Sequence, residues 1–116
     1  MGAEGHIYCN PESFGLKPFA EVSNEAMDYA FSMFVVWKDG EGNLFYGEDD
    51  GCSCPDPFED ITEIEQLNTI IGADGLTAFF DALTNWGDRN RTDNYGDPCT
   101  VDTTKVRRKV REYMAR

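Results

Sequence analysis

Histidine, long apolar runs and nucleotide-binding glycine patterns are scarce or missing in this chain, and each shortage removes a class of function. With a single histidine, His6, a Ser-His-Asp or Cys-His arrangement would need the N-terminal end to fold back over the body. Walker, Gly-rich phosphate-loop and dinucleotide fingerprints do not occur. No apolar run approaches the ~20 residues that span a bilayer, and the start, MGAEGHIYCNPESFG, has neither a basic region nor an apolar signal core. A cytoplasmic protein without a membrane segment is expected, with residues 1–6 as a frayed end. Repeats and low-complexity tracts are also missing. Four cysteines, Cys9, Cys52, Cys54 and Cys99, stand at irregular spacing, which does not suit a secreted disulfide framework. In a reducing cytosol they are thiols or metal ligands.

What is present is enough for one folded domain. A chain of 116 residues, 41% hydrophobic and 13% aromatic, buries roughly two-thirds of its unfolded surface and lies far from disordered compositions. The net charge is −12, unevenly spread: Lys105, Arg107, Arg108, Lys109, Arg111 and Arg116 are six of the ten bases, with only Glu112 among them. Residues 1–104 hold 21 acids and four bases. Such a body repels nucleic acid and favours a cationic partner, while the basic tail is free to touch the acidic body, a partner or a phosphate backbone. The simpler reading is that the charge keeps the protein soluble.

Strand periodicity dominates the first half. KPFAEVS (17–23) and AMDYAFSMFVVWKD (26–39) are rich in aromatic and β-branched residues, and Met27, Tyr29, Phe31, Met33, Val35 and Trp37 share one parity. One sheet face is therefore core and the other, from Asp28 to Val36, partly covered. DGEGN (39–43) supplies a turn and LFYGE (44–48) a returning strand. Helical spacing follows. Asp60 and Glu63 stand at capping-box distance, Ile61, Ile64, Leu67 and Ile71 recur at three and four, and Gly72 is placed to stop the turn. Leu76, Phe79, Phe80, Leu83 and Trp86 form a second stripe ending at Gly87. After a turn-rich stretch (87–100), Val106 and Val110 mark a last helix capped by Asp102 or Thr103. The expected fold is α+β: a three-stranded antiparallel meander (about 17–48), then helices at about 61–71, 75–86 and 103–115 on one face.

The loop EDDGCSCPDPFED (48–60) concentrates two cysteines, two prolines and six acids, and four chemistries compete for it. His6 and Cys9 with Cys52 and Cys54 would make a structural zinc set, with Cys99 as substitute, although Cys-x-Cys is less usual than Cys-x2-Cys. A redox pair is disfavoured because Glu48, Asp49, Asp50 and Asp56 oppose thiolate formation. The carboxylates do not follow the calcium-loop pattern. A protein-binding loop would use Glu48, Asp49, Asp50, Pro55, Pro57, Phe58 and Glu59, the prolines stiffening it and Phe58 anchoring a basic partner patch. The alternative role for Phe58 is a hydrophobic staple at the start of the next helix. Lys105, Arg107, Arg108, Lys109 and Arg111 form a basic helix whose use on nucleic acid the acidic body disfavours.

The run FVVWKDGEGNLFYGEDDGCSCPDPFEDI (34–61), with NPESFGL (10–16) upstream, resembles a family of small uncharacterised proteins from tailed phages of actinobacteria. Its specific part is Gly51, Cys52, Cys54, Pro55, Pro57, Phe58 and Glu59; His6, Cys9 and Cys99 lie outside it. The resemblance implies a phage protein in a bacterial host cytoplasm and no particular activity. The leading expectation is a non-enzymatic acidic protein-binding module with no cofactor, acting on a host or phage protein, with inhibition by imitating the charge of DNA as one version. The rival is a zinc protein or metalloenzyme centred on the Cys-x-Cys loop.

Overall fold

A computed structural model of the chain describes residues 7–52 and 56–115, so the expected frayed end at 1–6 lies outside the described residues. Four strands form one antiparallel sheet in the order β1 (Leu16–Ser23), β2 (Ala30–Asp39), β3 (Leu44–Cys52) and β4 (Asn68–Ile70). Two helices follow, α1 (Gly72–Arg89) and α2 (Thr104–Met114). The α+β class and the meander of β1 to β3 agree with the periodicity; the third strand runs on to Cys52, into the stretch expected to be loop.

The alternation in β2 sends its side chains into two separate cores. Phe34 and Val36, with Leu44, Tyr46 and Ile70, meet Phe79, Leu83, Trp86, Val106 and Val110 of the helices. Phe34 stacks on Tyr46 and takes the edges of Phe79 and Trp86 at centroid distances of 5.6, 5.7 and 6.4 Å. Met33, Val35 and Trp37 point the other way, where Ile7, Leu16, Phe58 and Leu67 cover them. Both faces are thus core, and the helices occupy the face expected to be only partly covered.

The expected helix at 61–71 does not form. The Gln66 side chain accepts from the backbone N–H of Thr62 (2.8 Å) and Glu63 (2.9 Å), closing a single 3-10 turn at Ile64–Gln66. Beyond it, Asn68–Ile70 pairs with Leu44–Tyr46 as β4, a conformation that suits the β-branched run Thr69-Ile70-Ile71. The apolar residues that look like one helical stripe are divided: Ile61, Ile64 and Leu67 turn to one core, Ile71 is exposed, and it is Ile70, outside the stripe, that enters the other core. Gly72, at φ +69°, turns the chain from β4 into α1 instead of ending a helix. Helix α1 also passes through Gly87 and stops at Asn90, whose Nδ2 donates to the Trp86 carbonyl at 2.8 Å.

The β2–β3 turn is held by Asp39, which accepts from Glu41 N (2.9 Å), Asn43 N (2.8 Å) and Asn43 Nδ2 (3.1 Å). Slight burial pushes its carboxyl up, but these donors and the Gly42 N–H outweigh that and hold it below the ordinary aspartate value. A carboxyl lowered on folding contributes stability above its unfolded pKa, near ~3.9, and loses it as pH falls through the folded value. Urea midpoints measured on acidification should therefore fall more steeply for wild type than for Asp39→Asn. Parallel profiles would remove the turn from the acid response.

Candidate functional site

Of the 48–60 stretch, residues 48–52 continue β3 and residues around Phe58 cover the sheet. Phe58 is 3% exposed, lies edge-on to Trp37 at 5.2 Å and stacks near Tyr8 at 6.1 Å. It takes φ +62°, and its N–H donates to Asp49 Oδ2 at 2.7 Å. Gly47 lies beneath it, where a Cβ would come within 3.3 Å of the Phe58 ring, so a side chain there would lift the cover. Phe58 is accordingly a core residue of its own chain, and no helix follows for it to staple. Ile61 and Ile64 pack around the same cluster.

The other loop residues have different surroundings. Glu48 is paired with Arg89 of α1, and Asp49 is committed to Phe58. Glu59 is exposed and Pro57 half-buried; Pro55, with His6 and Cys54, lies outside the described residues. Among the described residues no three His, Cys, Asp or Glu side chains gather for a metal ion. Cys9 and Cys52 are exposed thiols. The register pairs Cys52 with Ala30, so strand alternation turns it away from the face on which Ile7 and Tyr8, just before Cys9, are packed. Cys99 sits elsewhere, its Sγ 3.7 Å from Asn24 Oδ1 and 3.6 Å from the Asn90 carbonyl.

Helix α2 spends much of its charge on the chain itself. Arg107 and Arg111 lie over Phe80 at 5.7 and 5.4 Å, and Lys109 lies over Phe19 at 4.8 Å while donating to the Phe19 carbonyl at 2.6 Å. The Thr104 N–H donates to Asp102 Oδ1 at 2.9 Å, and this bond, helped by Lys105 and Arg108, keeps the Asp102 carboxyl below its ordinary range. Between Lys38 and Arg89 the chain has thirteen acids and no base.

A second surface, which the sequence reading did not single out, gathers at the end of the sheet where β2 begins. Tyr29 is 80% exposed at φ +56°, and Tyr95 is 64% exposed. Between them in the hydrogen-bond pattern is Asp28: its N–H donates to Asn94 Oδ1 (3.0 Å), its carbonyl accepts from Asn94 Nδ2 (2.7 Å) and its carboxylate meets the Tyr95 hydroxyl at 3.4 Å. Below, Asn24 Nδ2 donates to Asn90 Oδ1 at 3.0 Å and to the Thr92 carbonyl at 3.3 Å, both asparagines being buried. The parity that assigned Met27 and Tyr29 to the core fails because β2 starts only at Ala30. The signal for Tyr95 was its place at the tip of a Thr-Asp-Asn-Tyr-Gly-Asp turn, where Asp93 accepts the N–H groups of Tyr95 (2.8 Å) and Asp97 (3.0 Å).

Among the described residues no helix is long and apolar enough to cross a membrane. A family model described as a domain of unknown function, DUF7574, matches residues 5–116, so the chain belongs to that family, and the match extends over the helical half that the resemblance in the first half did not reach. No curated protein and no solved structure matches the chain.

Proposed function

We propose that this DUF7574 member is a non-enzymatic acidic module that binds a basic surface of a host or phage protein, without a cofactor, in the cytoplasm of an infected bacterium. The observation that carries this reading is the orientation of residues 57–67. Their apolar side chains, Phe58, Ile61, Ile64 and Leu67, turn into the sheet, which leaves Glu59, Asp60, Glu63 and Glu65 outside on a face with no base nearby in sequence. A fixed acidic face steers a cationic partner and gives the contact its salt dependence. The Gly-Cys-Ser-Cys-Pro-x-Pro-Phe-Glu likeness supports the phage setting. Further carboxylates, Asp74, Asp81 and Asp88, recur every seventh residue along α1, the helix packed on the opposite face of the sheet. Acids distributed over both faces support a general acidic binder more than a single DNA-like strip.

The test uses a fluorescein-labelled polyarginine peptide and fluorescence anisotropy at low and physiological salt. Neutralising Glu59, Asp60 and Glu65 together, to Gln, Asn and Gln, should weaken binding about tenfold, three charges at about 0.5 kcal/mol each. Glu63 is kept because its side chain caps the 3-10 turn. A control variant of equal net charge, Glu12→Gln, Asp81→Asn and Glu112→Gln, should lose much less. Equal losses in the two variants would reduce the effect to net charge and remove the loop face from the interface.

A further inference from the structure

The cleft at the start of β2 carries more than charge. It has a volume of about 390 Å³ and its lining includes Met27, Ala30, Ser32, Asp50 and Asn94; Asp50, paired with Ser32, lies on the helix face of the sheet. Arg89 also lines it, but the Arg89 guanidinium is taken by Glu48. The Asp50 carboxylate, in contrast, has no side-chain or backbone partner among the described residues. Each exposed tyrosine is next in the chain to a lining residue, Tyr29 to Ala30 and Tyr95 to Asn94. The two loops that bring them there, 24–29 and 90–99, hold four carboxylates against one arginine.

We propose that this cleft receives an arginine side chain from a loop of the partner protein; the proposal rests on the acidic-module reading above. The guanidinium pairs with Asp50, its methylene stem lies along Met27, and Tyr29 and Tyr95 offer ring faces to the flanking cationic residues. Arginine fits better than lysine because a planar, weakly hydrated cation both pairs with a carboxylate and stacks on aromatic rings. A pair of exposed tyrosines is the residue type that concentrates binding energy at interfaces, and here both rings are mostly exposed. A second copy of this chain is a poor occupant, since its net charge of −12 repels its own kind. The left-handed backbone at Tyr29 supplies the diagnostic. A bulky residue is strained there and glycine is not, so Tyr29→Gly removes the ring without threatening the fold.

The experiment titrates the full-length protein with a short arginine-containing peptide, and with the same peptide carrying citrulline, while following amide NMR shifts and affinity. Shifts at Ala30, Gly51 and the Asn94 side-chain amide are expected with the arginine peptide and are lost with citrulline. Asp50→Asn and Tyr29→Gly should each weaken binding about tenfold, the second with an unchanged or higher Tm. Shifts confined to residues 59–65, with Asp50→Asn binding like wild type, would overturn the cleft while leaving the acidic module standing. Equal, negligible binding of both peptides would overturn both. Concentration-dependent shifts of the cleft amides without peptide would reassign it as a contact between copies.

Discussion

Replacing Phe58 by alanine should lower the unfolding free energy by about 3–5 kcal/mol, the usual loss for a buried phenylalanine. The expectation follows from where the ring sits. Phe58 is the central aromatic of a cover whose regular structure, among the described residues, is limited to two short 3-10 helices, Pro11–Phe14 and Ile64–Gln66, so its contacts with Trp37, Tyr8 and Gly47 do for the second core what two helices do for the first. The variant keeps the left-handed φ of +62° and the bond to Asp49, and loses only the ring. Phe58→Gly separates strain from packing: it relaxes the backbone and should be no worse than the alanine variant despite removing another carbon. Urea unfolding followed by tryptophan fluorescence is suited to the question, because Trp37 reports this face and Trp86 the helix face. A loss below about 1 kcal/mol would mean that the loop does not hold the sheet, and with it the fixed acidic face would go.

That same loop shows where periodicity in the sequence is informative and where it misleads. β1 and α2 are legible because each keeps one pattern against one neighbour: β1 pairs with β2 alone and the valines of α2 face a single core; β3, which pairs with both β2 and β4, is legible as far as Glu48 and not on to Cys52, where it ends. Residues 61–71 read as a helix because spacing of three and four residues counts apolar positions without recording where each side chain goes: Leu67 is buried, Ile71 four residues on is exposed, and Ile70, off the stripe, enters the opposite core. Propensity held the better clue, since Thr69, Ile70 and Ile71 are all β-branched. The tyrosine surface was hidden for a related reason. Tyr29 shares parity with Phe31 to Trp37, yet its positive φ breaks the alternation one residue before β2, and nothing in sequence spacing encodes a backbone sign. What places Tyr95 beside Asp28 is a contact between residues 67 apart, made through side chains whose partners no local pattern names.

The buried asparagines explain how such a surface stays in place, and they give the second large effect. Asn90→Ala should cost about 2–3 kcal/mol, because it strips the Trp86 carbonyl of a donor and leaves Asn24 Nδ2 with only the longer bond to Thr92. Asn24→Ala should cost a similar amount, since Asn90 Oδ1 and the Ala26 N–H lose their partner. Removing both leaves fewer orphaned groups than the two single changes added together, so the double variant should be less damaged than additivity requires, by about 0.5 kcal/mol or more. The network extends through Asn24 N–H to the Ser32 carbonyl (2.9 Å), and Ser32 Oγ accepts from Trp86 Nε1 (3.1 Å), which ties the end of β1, the start of β2 and the end of α1 into one unit. Faster amide exchange at Asp28, Thr92 and Tyr95 in either single variant, with Val35 and Val36 still protected, is the expected pattern: the surface loosens while the sheet holds. Strict additivity in the cycle would mean that the two asparagines act separately. The tyrosines would then owe their position to Asp28 and Asn94 alone, whose reciprocal bonds are exposed to water and correspondingly weaker than a buried pair.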